Sequence, residues 1–310
     1  VVTAAADGTL RVWATTTGRA LDELAGHHAA VRAVALTGDG RRAVSASADG
    51  TVRVWDLTTS QTLHTLAGHG AVSAVAVTAD GRRAVSASAD GTVRVWDLAT
   101  GQPLHTLAGH GAGVSAVAVT ADGERAVAGA GDGTLRVWDL TTGRALQVLT
   151  GAGGAVGALA LTQAGERAVA AAADGALRVW DLTTGRTLQV LSGHRGAAVA
   201  VVVTADGQRA VAAAADGTLR VWDLATGRTL QVLTGHRGAV AAVVVAADGQ
   251  RAVSAAQDGT VRLWDLATGR SLASFSGPAP FWSCGLMPDG ETIVAGDERG
   301  QVHFLRLAGG

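Results

Sequence analysis

The sequence predicts an all-β fold built from one repeated unit, on three observations. A Trp recurs at a nearly fixed interval, the segments between carry period-2 alternation, and Gly or Asp turns break the chain too often for helices. The Trp series is Trp13, Trp55, Trp96, Trp138, Trp180, Trp222 and Trp264, spaced 42, 41, 42, 42, 42 and 42 residues. A period of roughly 40–45 residues with four strand patterns per period is that of β-propeller blades.

The unit at residues 68–107 shows how each element follows. Ala71–Thr78 is a short apolar run that ends at the turn Ala79-Asp80-Gly81. Arg83–Ser88 alternates, and Asp90-Gly91 turns it into Thr92–Trp96, where Val93 and Val95 point opposite to Arg94 and Trp96. The turn Asp97-Leu98-Ala99-Thr100-Gly101 leads into a fourth strand, Pro103–Leu107. Asp-Gly and Thr-Gly pairs tolerate the positive φ that tight turns need, so the four strands read as an antiparallel meander.

Three signatures make the chain resemble the WD-repeat family. The Trp-Asp pair stands at Trp55-Asp56, Trp96-Asp97, Trp138-Asp139, Trp180-Asp181, Trp222-Asp223 and Trp264-Asp265. Gly-His stands at Gly26-His27, Gly68-His69, Gly109-His110, Gly193-His194 and Gly235-His236. A hairpin Asp stands before each Trp, at Asp7, Asp49, Asp90, Asp132, Asp174, Asp216 and Asp258. Departures are Ala14 after Trp13, Gly151-Ala152 and Gly277-Pro278 in place of Gly-His, and Arg299, Leu305 and Arg306 at the signature positions of the last unit. The expectation is one domain, residues 1–310, with a divergent last unit over 281–310. Eight blades are expected, the last including Thr292–Ala295 and Gln301–Leu307, with the family's commonest number, seven, as the alternative. The first unit lacks its innermost strand and the last its outermost, so the resemblance implies a segment before Val1 that supplies them.

Composition bounds the function. There are 25 basic and 26 acidic residues without a run of either sign, which argues against nucleic acid or an anionic membrane as partner. All the basic residues are Arg, Lys, Asn and Tyr are absent, and Ile293 is the only Ile, a bias expected of a bacterial, GC-rich genome. Cys284 is the single cysteine, so no intrachain disulfide forms; it reads as a small core residue, and a cytoplasmic location is expected. Asp, Arg or Gly interrupts every apolar stretch before it reaches a membrane span.

The resemblance implies a hydrogen-bonded chain through a blade, from His through Ser and Asp to Trp. Full sets are His27, Ser45, Asp49, Trp55; His69, Ser86, Asp90, Trp96; and His236, Ser254, Asp258, Trp264. Ala128, Ala170 and Ala212 delete the hydroxyl from the middle units, and Ala152 deletes a His. A hydrolase reading of Ser, His and Asp fails because a catalytic triad is one constellation, whereas this set recurs at a fixed repeat position. Histidines mostly one per repeat have no metal-ligand spacing, and a phosphate-binding Gly-Lys-Ser/Thr motif is impossible without Lys; no metal or cofactor is expected.

The family relationship further implies partners on the face bearing the Gly-His loops and the Asp-Gly hairpins. Candidates there are the residues that break the repeat: His28, Arg32, Arg195, Arg237, Gln257 and Trp282. Trp282 has two readings, a core aromatic of the last unit or an exposed patch with Phe281. On the opposite face, Arg42, Arg83, Arg125, Arg167, Arg209 and Arg251 read as solvated, weak ion pairs. The leading expectation is a non-catalytic module that binds a protein, a peptide or another domain of its own polypeptide, within a bacterial signalling protein. Alternatives are a self-associating repeat and, behind it, an enzyme with its site at the channel mouth.

Overall fold

The computed structural model describes residues 1–14, 17–287 and 289–306, and every regular element among them is a β-strand. The chain divides into two compact units, Val1–Gly151 and Ala152–Gly310, and each holds four antiparallel sheets whose strand order follows the chain. The first unit opens with a three-stranded sheet, Val2–Ala4, Leu10–Trp13 and Ala20–Leu24, followed by three four-stranded ones. The second holds three four-stranded sheets and then a three-stranded one, Phe281–Leu286, Thr292–Asp297 and Val302–Arg306. The count is eight sheets, not seven, and the two short ones are those the sequence marks as incomplete. Leu307 lies outside the described residues. No helix among the described residues is long and apolar enough to cross a membrane.

The third sheet, Val72–Val77, Arg83–Ser88, Val93–Asp97 and Pro103–Leu107, shows why the repeat reads as it does. Trp96 lies opposite Ala84 across the second and third strands, and the same Trp–Ala pairing recurs as Trp138 with Ala126 and Trp222 with Ala210. A small partner beside each indole leaves it room to project into the neighbouring sheet. At the hairpin, Gly91 has φ of 83°, and the Asp90 carboxylate accepts the Thr92 N–H at 2.8 Å and its hydroxyl at 2.6 Å. The Asp-Gly pair thus fixes both backbone shape and strand entry.

The core lies between sheets. Val85, Val93, Val95 and Leu107 of the third sheet pack against Ala126, Ala128, Trp138 and Leu140 of the fourth. In the second unit Val169, Leu177 and Val179 meet Ala210, Ala212, Trp222 and Leu224 in the same way. Alanines let the sheets approach while the indole fills the layer at crystal-like density.

Two sets of side chains tie neighbouring sheets through backbone carbonyls. The Arg42 guanidinium donates to Leu98 O at 3.3 Å, Arg83 to Leu140 O at 3.1 Å and Arg209 to Gly249 O at 2.7 Å. Arg42, Arg83 and Arg209 are half-buried bridges rather than the solvated, weak ion pairs expected, whereas Arg251, also half-buried, lies 3.8 Å from Asp248 as an ion pair. The planar fork of Arg presents several N–H donors in a fixed plane, which lets one of them reach a turn carbonyl one sheet away. On the fourth strands, His64 and His105 reach Ala99 O and Thr141 O at 3.2 and 3.1 Å, and Gln189 and Gln231 reach Ala225 O and Ala267 O.

Wherever a sheet has the innermost strand of the repeat, that strand carries a bulge at its second residue. The bulged residues are Arg32, Ser73, Ser115, Gly157, Val199, Ala241 and Trp282. A bulge leaves its residue outside the ladder and redirects its side chain.

Candidate functional site

In the second sheet, His27 Nε2 lies 2.7 Å from Ser45 Oγ, which accepts the Trp55 indole N–H at 2.8 Å, while His27 Nδ1 lies 3.1 Å from Asp49. The third and seventh sheets repeat the geometry. Ser86 is 2.7 Å from His69 and 2.8 Å from Trp96, and Ser254 is 2.7 Å from His236 and 2.8 Å from Trp264. In the second and seventh sheets one assignment satisfies every atom: the indole N–H donates to Ser, the Ser hydroxyl donates to Nε2, and Nδ1–H donates to the Asp carboxylate; in the third, His69 Nδ1 is 3.7 Å from Asp90 and its N–H goes to the Thr92 hydroxyl at 3.3 Å instead. It requires a neutral imidazole. His69 is pushed down to about 4, first by burial and then by the Arg94 charge, against the pull of Asp90. His27, His110, His194 and His236 are lowered for the same leading reason. Burial opposes ionisation of Asp49, yet bonds from Thr51, the His28 N–H and His27 overcome it and hold that carboxyl well below the usual range.

These sets are interior. Ser45, Ser86 and Ser254 have no exposed surface, and each oxygen is already engaged on both sides, so no substrate can reach them. Among the described residues no His, Cys, Asp and Glu side chains are grouped to hold a metal ion. Cys284 sits on the Phe281–Leu286 strand with its sulfur 3.6 Å from Val253 O, and burial pushes the thiol up to about 12, so it stays protonated and unreactive.

Where the hydroxyl is missing the set is incomplete. His110 Nε2 and Trp222 Nε1 are buried without hydrogen-bond partners among the described residues, next to Ala128 and Ala212 respectively. Where the His is missing another residue substitutes, and the sequence reading did not find it. Arg178, two positions before Trp180, donates to Asp174 at 2.8 Å and to the carbonyl of Ala152, the residue that replaces His. Arg11 in the first sheet also pairs with its hairpin carboxylate, Asp7, at 3.3 Å. In the five sheets with Gly-His, the hairpin Asp pairs with His instead, and the buried Nε of Arg53, Arg94, Arg136, Arg220 and Arg262 has no partner among the described residues. The signal was present in the repeated Arg-Val-Trp or Arg-Leu-Trp triplet. It also explains the glycine of Gly-His: a Cβ on Gly109, whose φ is 134°, would stand 2.7 Å from Arg136 Nη1.

The six candidate contact residues fall into two groups. His28 and Arg32 belong to the first unit; both are exposed, and the His28 N–H is spent on Asp49 at 2.9 Å. Ser73 and Ser115, their neighbours in the repeat, turn their hydroxyls to the carbonyls of Ala87 and Gly129. Arg195, Arg237, Gln257 and Trp282 are all in the second unit and all exposed. Phe281 and Trp282 part company: Phe281 is fully buried against Phe275 and His303, whereas Trp282 is 50% exposed. The indole is therefore neither a core residue nor one half of a Phe–Trp patch, because the bulge turns it away from the layer that Phe281 fills.

Residues 18–56, 60–97, 101–139, 143–181 and 185–223 match the family model described as WD domain, G-beta repeat. The chain belongs to the WD-repeat family. Residues 236–307 match a further model, described as TEP-1 C-terminal beta-propeller. Among solved structures, the WD-repeat chain is similar to the crystal structure of the computationally designed Ika8 protein, with 36% identity and a TM-score of 0.90 over 99% of this chain and 93% of that one. No curated protein matches it. Each WD-repeat match ends at the Asp of a Trp-Asp pair, so the sequence repeat begins around the fourth strand of one sheet and finishes on the third strand of the next.

Three outcomes follow for stability. Ala212→Ser supplies a hydroxyl to Trp222 Nε1 and His194 and raises stability by about 1 kcal/mol, while Ser254→Ala lowers it by about 1–2 kcal/mol. Denaturant midpoints check both, and an unstable Ala212→Ser protein refutes the assignment. Arg178→Ala loses about 1 kcal/mol and Arg220→Ala clearly less, because only Arg178 holds a hairpin carboxylate. Finally, the lowered histidines bind protons more readily unfolded than folded, so their contribution is complete above the ordinary value of 6.5 and declines as pH falls towards about 4. For His69 alone the loss reaches ~3 kcal/mol. A thermal midpoint that stays flat from pH 7 to pH 4.5 contradicts it.

Proposed function

We propose that the chain is a non-catalytic protein-interaction module whose working face carries the Gly-His loops and the Asp-Gly hairpins. The observation that carries this reading is the contrast between the two kinds of polar residue. The recurring Ser, His and Asp are spent inside the sheets, whereas the residues that break the repeat, Arg195, Arg237, Gln257 and Trp282, are exposed on loops, a hairpin and a strand bulge of that face. Membership of a family whose propellers generally bind proteins or peptides supports it. The similarity to one solved structure, the designed Ika8 protein, over 99% of this chain and 93% of that one supports treating residues 1–310 as one domain. The finer reading is a scaffold or sensor within a larger bacterial signalling protein in the cytoplasm. The Arg-only basic composition and the single cysteine support it.

A second reading, self-association, draws on the fourth strands, which lie at sheet edges and expose Leu146, Val148, Leu188, Val190, Leu230 and Val232. Repeated apolar residues on an edge strand favour pairing between copies. Sedimentation over a range of concentrations separates the two: a mass that rises with concentration supports pairing, and a constant monomer mass removes it.

The test of the leading reading is affinity capture from source-cell lysate with the wild-type chain and with Arg195→Glu/Arg237→Glu as parallel baits. Proteins recovered by the wild type and lost from the variant are expected. Identical recovery by both baits refutes this face as the contact surface.

A further inference from the structure

In the Ala152–Gly310 unit, the innermost strands of neighbouring sheets lie side by side, and their bulged residues are Gly157, Val199, Ala241 and Trp282. The residues just before the last three, Ala198, Val240 and Phe281, are buried. Val199 and Trp282, by contrast, are 39% and 50% exposed. The sheets are otherwise near copies, down to RTLQVLSGHRG at 186–196 and RTLQVLTGHRG at 228–238. The repeat therefore varies at the position where its geometry pushes a side chain outward, and in this unit it places only apolar groups there. A half-exposed indole and, two sheets away, an exposed valine keep apolar surface in water that a ligand would cover.

Charge stands beside these groups. Arg195 and Arg237 each lie four residues before a bulge, at Val199 and Ala241. Their backbone N–H groups are fixed by Asp216 and Asp258 at 2.7 Å, and no carboxylate among the described residues lies within 4.0 Å of either guanidinium. The surface is continuous. Gln257 N–H donates to Ala239 O at 2.9 Å, Gly277 N–H to Gly259 O at 2.9 Å, and Glu298 N–H to Pro280 O at 2.8 Å. These bonds join the loop of Arg237, the hairpin of Gln257, the segment entering Trp282 and the last hairpin in sequence. Glu298 takes, in the last sheet, the place Gln257 has in the sheet before.

We propose that Val199, Ala241 and Trp282, with Arg195 and Arg237, bind an extended peptide in which a bulky apolar side chain stands next to an acidic one. The proposal rests on the reading of the chain as a protein-interaction module and specifies the partner's chemistry. The Trp282 indole covers the apolar side chain, with Ala241 and Val199 extending the apolar surface along the neighbouring innermost strands, and the guanidinium groups of Arg195 and Arg237 draw the carboxylate. Glu298 repels a carboxylate placed beyond Gln257, so the acidic residue lies on the Arg195 and Arg237 side and the peptide has one direction.

The test selects a displayed library of random decapeptides on the full chain, then measures enriched peptides by fluorescence anisotropy against wild type, Trp282→Ser, Trp282→Phe and Arg195→Glu/Arg237→Glu. Thermal midpoints equal to wild type show that the variants fold. Enriched peptides are expected to share Asp or Glu beside Phe, Leu, Met or Trp. Trp282→Ser and the double charge reversal each weaken them about tenfold, and Trp282→Phe weakens them much less. Peptides that lose binding in these variants but lack the acidic–apolar pair overturn this inference alone. Peptides that bind all four proteins equally, or no enrichment at all, overturn the interaction-face reading with it.

Discussion

Everything in this chain depends on the apolar layer between adjacent sheets. A four-stranded sheet of this repeat is hydrophobic on both faces, with Val85 and Val95 buried as completely as Trp96 on the same ladder, so it cannot be stable alone in water. Its only complementary cover is another copy of itself. The Trp beside its paired Ala is the device that makes one copy fit the next: the indole projects and the alanines of the facing sheets make room. The family repeat is staggered with respect to the sheets, as residues 60–97 run from the fourth strand of one to the third strand of the next. Covalent connection thus crosses the same boundary that the apolar layer seals.

The hydrogen-bonded sets come second in that order. The fourth, fifth and sixth sheets carry Ala128, Ala170 and Ala212 where the second, third and seventh have Ser, and the fifth has Ala152 for His, yet all keep the same strand register as the complete sheets. Losing a buried Trp costs about 3–5 kcal/mol and losing a buried hydroxyl about 1–2. The repeats differ where the cost is small, while Trp138, Trp180 and Trp222 stand in all three of these sheets. Arg178 shows the same logic from the other side: Asp174, whose His position holds Ala152, is not left alone, because an arginine on the third strand reaches it.

Most of the architecture was legible because it is periodic. The Trp interval, the Asp-Gly hairpins and the strand alternation each state one fact many times, so the unit count and strand order could be read from spacing. The contacts between sheets were not legible in that way. Nothing local to Arg83 says that its partner is the carbonyl of Leu140, since the two are brought together only by stacking the sheets. Likewise Phe281 and Trp282 are neighbours of similar character, and only the bulge, a backbone irregularity without a residue signature here, decides which is buried.

A repeat that copies its core also copies its surface, and a surface of identical patches cannot choose a partner. The choice must rest on positions free to vary without disturbing the layer between sheets. Ladder positions of the second and third strands are largely not free, because most side chains there are buried against a neighbouring sheet, and the hairpin Asp is not free, because it holds a turn and a loop N–H together. The bulged residue meets the requirement on physical grounds: it is outside the ladder, and the bulge geometry is the same with Arg32, Gly157 or Trp282 in place. Tolerance of Gly and Trp at one structural position means that the core takes little energy from the side chain there. What that side chain meets is solvent or a partner, which makes this position the place where a chain of near-identical units becomes specific.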